Sequence, residues 1–469
     1  MHILDILQEL KAQTGKGSAG RKISILEEQE DNKLLKNFFF WALDPQFNYW
    51  QSKITKGNHD ESVEGDVDLL HAMAVVMDKI VTRKVTGNNA KRLLTNLYYD
   101  CVHKDANLLE RIITGKPDVG FNVGTVNKVW PGLIYDPSYM RCKSYSPKAV
   151  GSWDFENEVI YSNLKCDGMF NNIILADIIK LETRSGESLQ LVVDSLSTGI
   201  LNGLEILRSD LSDKGVIDPV LHGEFLVIKD GEIIERSKGN GLINKVKLGG
   251  KFPTDHYLRI VIWDYIPLEN FLSHEEYPVT YDKKFDELKS IFGTKVHDEI
   301  QLIEYKRVYS MMDAQRHFVE QLQAGFEGTV LKNASRLTWK NHDSPNQLKL
   351  KNKFRFEMRV IGFTKGEGKY ASTFGSMIIE SECGKLKSAI SGMTDKIRNE
   401  IHDNRELYID AVVEVEANGL FKNNDGTISL MHPRNKELRE DKTSADTQER
   451  IIQQEIDSIM GTRMENDRI

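Results

Sequence analysis

Cysteine is scarce in this 469-residue chain: Cys101, Cys142, Cys166 and Cys383 stand alone, without paired spacing. That excludes a disulfide-stapled scaffold, a zinc ribbon and a dithiol redox pair, and it points to a reducing, cytoplasmic setting. No apolar run approaches the roughly 20 residues that a membrane-spanning helix needs. The opening Met1-His2-Ile3-Leu4-Asp5-Ile6-Leu7 has no basic stretch and carries Asp5, which is not the pattern of a signal or transit peptide. Internal repeats are absent. A general excess of positive charge is missing too, since the net charge is −8, so a uniformly basic nucleic-acid binder is excluded. What remains, 40% apolar and 28% charged residues, describes an ordinary soluble globular protein. Its length suits about three domains.

Where the cations sit matters more than their sum. Lys79, Arg83, Lys84, Lys91 and Arg92 fall between Lys79 and Tyr99 with no acid among them, and Lys349, Lys351, Lys353 and Arg355 form a second cluster. Pattern alone leaves open a solvated helix face for the first and an edge strand for the second. Residues 1–145 read as helical. Leu69, Leu70, Met73, Val76, Met77, Ile80 and Val81 recur at helical spacing, as do Leu108, Leu109, Ile112 and Ile113. Asn32 is placed to cap a helix beginning before Leu34.

From about residue 146 to 352 the pattern changes to short strands, predicted at Gln190–Val193, Glu224–Ile228, Leu258–Asp264 and Gly328–Leu331, with helices at 281–291 and 313–323. Polar segments such as Ser209–Lys214 and Arg236–Gly250 lie between. This reads as a mixed α/β domain with its motifs at strand ends. Residues 353–469 hold further strands over Phe354–Phe363, Ser376–Cys383, Lys385–Ile390 and Leu407–Val415, with a turn at Gly384 and a helical tail after Asp446. Several short strands in about 90 residues fit a small barrel.

The densest chemical signal is Lys165-Cys166-Asp167-Gly168, after the apolar-rich Tyr161-Ser162-Asn163-Leu164. A lysine at a strand end becomes a nucleophile when desolvation or neighbouring cations favour its neutral amine, and Gly168 lets backbone approach a ligand closely. Alternation in Leu348-Lys349-Leu350-Lys351 puts both ammonium groups on one strand face, an arrangement that a polyanion would relieve. Glu224 and Glu327 each adjoin a glycine and an apolar run, so each is expected at a strand end. A turn glutamate on the surface has the same local pattern. Trp263 reads equally as core or as a flat wall for a base.

Taken in order, Lys165–Gly168, Thr183-Arg184-Ser185-Gly186, His222-Gly223-Glu224, Trp263-Asp264-Tyr265, Glu327-Gly328-Thr329-Val330-Leu331-Lys332, Leu348–Lys351 and Arg439-Glu440-Asp441-Lys442 resemble the motif series of the covalent nucleotidyltransferases. Within that superfamily the chain resembles the ATP-dependent DNA ligases of the T-even bacteriophage type. Arg83–Asn88, Asn127–Ile134, Trp263–Leu268 and Leu438–Thr443 carry the resemblance across nearly the whole chain.

The resemblance implies a multidomain α+β fold. Its parts would be an all-helical DNA-binding domain (1–145), an adenylation or nucleotidyltransferase domain (146–352) and an OB-fold β-barrel with a helical tail (353–469). It implies a monomeric DNA ligase (ATP) that seals 5′-phosphate/3′-hydroxyl nicks in duplex DNA through lysyl-AMP, in replication, repair and recombination. Lys165 would be the nucleophile, with Asp167, Lys349 and Lys351 also catalytic. ATP would be held by Arg184, Glu224, Trp263, Lys332, Lys349, Lys351, Arg439 and Lys442, and Mg²⁺ by Glu224 and Glu327. Nicked DNA would meet Arg83, Lys84, Lys91, Arg92, Lys128 and Arg184, the last at the 5′-phosphate.

Three positions depart from the family. Phe170 stands where an arginine is usual, His222 where an aspartate is usual, and His342, Asp343 and Pro345 occupy a stretch that is basic in the phage type. Phe170 leaves room for an RNA ligase of the same superfamily, and a catalytically dead nick-binding protein is the alternative from a different class.

Overall fold

Helices build the first part of the chain because their apolar residues recur on one side. In His103–Ile113, Leu108, Leu109, Ile112 and Ile113 are all buried, and in Leu69–Val76 the buried set is Leu69, Ala72, Met73 and Val76. Leu70 is the exception to the expected stripe and faces solvent. Asn32 does cap the helix Lys33–Leu43, its side chain accepting from the Leu35 N–H at 3.1 Å. A computed structural model describes residues 2–56, 65–293, 298–423 and 425–466 of the chain.

Those residues form two compact units. One holds residues 1–139, 168–275 and 291–301; the other holds 140–167, 276–290 and 302–469. In the first, the helical core gathers Ile6, Leu10, Phe38, Phe39, Leu94, Leu109 and Trp130, among others. Its sheet runs in the order Ile179–Thr183, Met169–Leu175, Pro219–Lys229, His256–Pro267, Ile300–Leu302, with the four longest strands antiparallel.

The second unit contains a sheet ordered Arg141–Ser144, Asp343–Lys351, Gly328–Asn333, Ile160–Leu164, Tyr305–Arg307. Only the first pairing is parallel. A further five-stranded sheet is ordered Lys387–Ile390, Phe374–Glu380, Phe354–Lys365, Val412–Ala417, Arg434–Leu438.

Three expectations need correction. Gln190–Val193 is a helical turn, not a strand; Val192 and Val193 return their N–H groups to the Leu189 carbonyl. Three apolar residues in a row, Leu191 to Val193, carry no period long enough to tell the two apart. The polar segments around it are helical as well, within Thr198–Asp213 and Arg236–Lys247. The expected β-barrel is not closed by strand pairing. A single bridge, Ser391 to Arg434, joins the two outer strands of the five-stranded sheet, while register breaks near Gly362 and Phe363 bend its central strand. Among the described residues no helix is long and apolar enough to cross a membrane.

Candidate active site

Register decides which side chains share a face. In the sheet of the second unit, Gly328 lies opposite Lys351, Val330 opposite Lys349, and Lys332 opposite Gln347 on one side and Tyr161 on the other. Opposed residues project the same way, so Lys332, Lys349, Lys351, Tyr161 and Asn163 share one face. The other face carries Leu331, Leu348 and Leu350, which enter a core with Phe318 and Val319. Asp343–Lys351 is flanked by strands on both sides, so its lysines do not guard an edge.

Lys165 follows the strand Ile160–Leu164 directly. Its N–H donates to the Gly328 carbonyl at 3.0 Å, and the preceding Leu164 N–H donates to the Glu304 carbonyl at 2.8 Å. Gly328 has φ +139°, and a Cβ there would lie 2.3 Å from the Leu350 carbonyl oxygen, so glycine alone fits. This close approach sets Glu327 at the strand's start, where one carboxylate oxygen pairs with Lys165 and the other with Lys351. The Glu327 side chain is only 8% exposed. Burial pushes its carboxyl up, but the two ammonium groups outweigh that and hold it below the ordinary carboxylate range. Lys332 is buried, with its ammonium 3.9 Å from the centre of the Tyr281 ring. The Tyr281 hydroxyl accepts from Asn163 at 3.1 Å. Asp167 is half-buried in the irregular segment after Lys165.

In the first unit, Glu224 accepts from the Gly168 N–H at 2.7 Å. Trp263 is the extra residue of a β-bulge: His222 opposes Asp264, and Gly223 opposes Ile262. Bulges re-aim side chains, and here the indole packs 5.9 Å from the Phe170 ring. The Phe170 ring in turn stacks on His222 at 21° and meets Tyr139 edge-on. His222 Nδ1 lies 3.0 Å from Asn172 Oδ1, and Glu182 accepts from both Asn172 and Tyr135. Burial raises the Glu182 carboxyl. Arg184 is exposed, just past the strand Ile179–Thr183, with its guanidinium over the Tyr139 ring.

Arg439 and Lys442 lie in the second unit beside the five-stranded sheet. Both pair with Glu357, at 2.6 and 2.7 Å, and Arg439 also makes a two-pronged contact with Asp441. That contact holds the Asp441 carboxyl down to about 2. In the helical region, Lys91 and Arg92 project from the helix Gly87–Asp100 and, like Lys128, are exposed. Arg83 stacks over Trp50 at 4.3 Å. Lys84 and Lys79 both pair with Asp78, the acid just before the basic stretch.

Sequence reading did not single out Tyr139, Glu182, Tyr281 or Glu357. An aromatic or an acid inside an ordinary element carries no local mark of the distant partner it will meet. Among the described residues no group of three or more His, Cys, Asp or Glu side chains is gathered to hold a metal ion.

No protein-family model matches the chain. It is similar to the DNA ligase of Enterobacteria phage T6, 30% identical over 491 residues that cover 96% of this chain and 98% of that protein. It is also similar to the DNA ligase of Enterobacteria phage T4, 28% identical over 503 residues with the same coverage. Among solved structures, one named Pmar-Lig_PreS3 shares the fold, with a TM-score of 0.70 at 19% identity, covering 94% of this chain and 99% of that one.

Proposed function

Because this chain belongs to the DNA ligase family, we propose that it is an ATP-dependent enzyme sealing 5′-phosphate/3′-hydroxyl nicks in duplex DNA through AMP carried on Lys165. The observation that carries this reading is the shared face on which Lys332, Lys349 and Lys351 lie, with Glu327 binding both Lys165 and Lys351. Such a face suits a triphosphate. Phosphate oxygens could take over Lys351 from Glu327, and the Lys165 amine must shed its proton before it attacks phosphorus.

The chemistry proceeds in three transfers. The Lys165 nitrogen bonds to the α-phosphorus of ATP as the bond to pyrophosphate breaks, and the ammonium proton leaves with solvent. A 5′-phosphate oxygen of the nick then displaces Lys165 from AMP, giving DNA-adenylate. Last, the 3′-hydroxyl oxygen attacks the 5′-phosphorus and expels AMP, closing the phosphodiester. Lys349, Lys351 and Lys332 would steady the phosphates as charge develops. Arg439 and Lys442, now on Glu357, would face the pyrophosphate after a lid-type movement.

Glu224 and Glu327, one in each unit, are each proposed as a magnesium ligand from the family resemblance, and such an ion needs only one or two protein carboxylates when phosphate oxygens complete its shell. Glu327 qualifies once phosphate takes over its two lysines. Bound there, the ion would neutralise phosphate charge.

Residues 146–352 would serve as the adenylation domain, 1–145 as the DNA-binding domain with Arg83, Lys84, Lys91, Arg92 and Lys128, and 353–469 as the OB-type domain, in a monomer. Incubation with α-labelled ATP and magnesium tests the reading. The protein should retain acid-labile label, Lys165→Ala should retain none, and only the former should seal a nicked duplex. Absence of label on the intact protein overturns the proposal.

A further inference from the structure

We propose that Tyr139 is a positioning residue for Arg184, and that the N-terminal segment thereby sets how the protein recognises a nick's 5′-phosphate. The inference rests on reading Arg184 as the contact for that phosphate. Arg184 opens a tight turn in which the Thr183 N–H reaches the Glu187 carbonyl and the Gly186 N–H reaches the Thr183 carbonyl, both at 2.9 Å. An exposed arginine on such a turn has many rotamers to lose before it can grip an anion.

Here the guanidinium lies 4.1 Å from the centre of the Tyr139 ring. A guanidinium held on the ring by its flat face keeps its in-plane N–H fork for two phosphate oxygens. Tyr139 is braced in turn, since it meets Phe170 edge-on at 4.9 Å and 86°. Phe170 rests on His222 and Trp263. The unusual Phe170 thus acts as a brace, and an arginine in its place would set a second cation beside the first.

The turn beneath Arg184 is clamped by the same N-terminal segment. The Tyr135 hydroxyl donates to Glu182 at 2.8 Å, and Asn48 donates to Glu187 at 3.2 Å. Lys247 pairs with both Glu187 oxygens at 2.9 Å. Gly186, at φ +84°, sits so close to Tyr135 that a Cβ would fall 2.9 Å from its ring. Backbone, turn and guanidinium are therefore held by Asn48, Tyr135 and Tyr139 of the N-terminal segment together with Lys247, while Arg184 remains exposed.

The test uses full-length protein already charged with AMP, titrated with nicked duplexes that carry either a 5′-phosphate or a 5′-hydroxyl. Tyr139→Leu should lose roughly threefold to thirtyfold of the preference for phosphate, the worth of one such stacked pair. KM for the phosphorylated nick should rise by the same factor with kcat little changed. Tyr139→Phe should keep most of the preference, and Tyr139→Leu should add nothing to Arg184→Ala in the double variant. Should Tyr139→Leu not fold, Phe170→Leu takes its place, with a smaller loss in the same direction. Full preference in Tyr139→Leu (or in Phe170→Leu where that stands in), or additive losses in the double variant, overturns the inference while Arg184→Ala remains impaired. If Arg184→Ala itself keeps the preference, the phosphate reading of Arg184 falls and takes this inference with it.

Discussion

Glu327 holds two lysines that the proposed chemistry would set free, and this defines its contribution at the scale of a single residue. Its folded-state carboxyl lies below the ordinary 4.5, so its stabilising effect is fully present above that value and fades as pH falls through the lower folded value. Glu327→Gln should therefore cost about 1.5–3 kcal/mol at pH 7, the range for hydrogen bonds to charged groups. The gap to wild type should narrow in denaturant titrations carried well below pH 4.5. A gap that stays constant with pH would mean that the paired charge adds nothing. The same variant should charge itself with AMP at least about a hundredfold more slowly, because the carboxylate that orients Lys165 and Lys351, and that is proposed to hold magnesium, is lost.

Such residue-level placements were only partly legible in the sequence. Lys165, Lys349 and Lys351 announce themselves by strand-end position and alternation. Glu357, which binds Arg439 and Lys442, does not, because 82 residues separate it from Arg439 and nothing local marks the encounter.

Among elements, the helix Met311–Gln323 packs on the back of the strand that leads to Lys165. Its His317 is buried and shares a 2.9 Å hydrogen bond with Ser162. Gln321 donates to Glu304 at 2.8 Å, so its amide nitrogen also faces His317 Nε2, at 3.1 Å, as a donor. Nε2 accordingly accepts and Nδ1–H donates to Ser162, which is the neutral tautomer. Burial lowers the His317 pKa from the ordinary 6.5. Between the folded value and 6.5 the unfolded chain binds the extra proton, so stability should fall as pH drops through that window.

One such proton gives a slope of at most about 1.4 kcal/mol per pH unit. His317→Gln keeps a donor for Ser162 and should flatten this slope, read as the difference between the two proteins' urea midpoints across pH. Identical curves would remove His317 from the account. Periodicity foretold this helix well, and also those at 281–291 and around Leu108, because each spans several turns with one apolar stripe. It failed at Gln190–Val193, where three apolar residues fit either geometry, and it could not see the bulge that turns Trp263. A bulge depends on how two distant strands register, and neither strand encodes that alone.

The molecule as a whole is acidic, with a net charge of −8, yet its proposed ligand is a polyanion. Binding then depends on a few cations that are not already answered by acids. Lys84 is answered by Asp78, and Arg83 is laid over Trp50. Lys91 and Arg92 stand exposed on one helix, where Arg92 donates to the neutral Asn89. Each phosphate neutralised by a lysine or arginine releases counterions, so affinity falls with salt with a log–log slope of about −0.9 per contact. Replacing both Lys91 and Arg92 with alanine should weaken nicked-duplex binding at every sequence and make that slope shallower by roughly 2. Lys84→Ala should change it by less, since Asp78 already occupies that charge. Fluorescence anisotropy over a salt series measures both. An unchanged slope in the double variant would move the DNA-binding face away from the helix Gly87–Asp100, and would leave the basic stretch as a solvated helix surface.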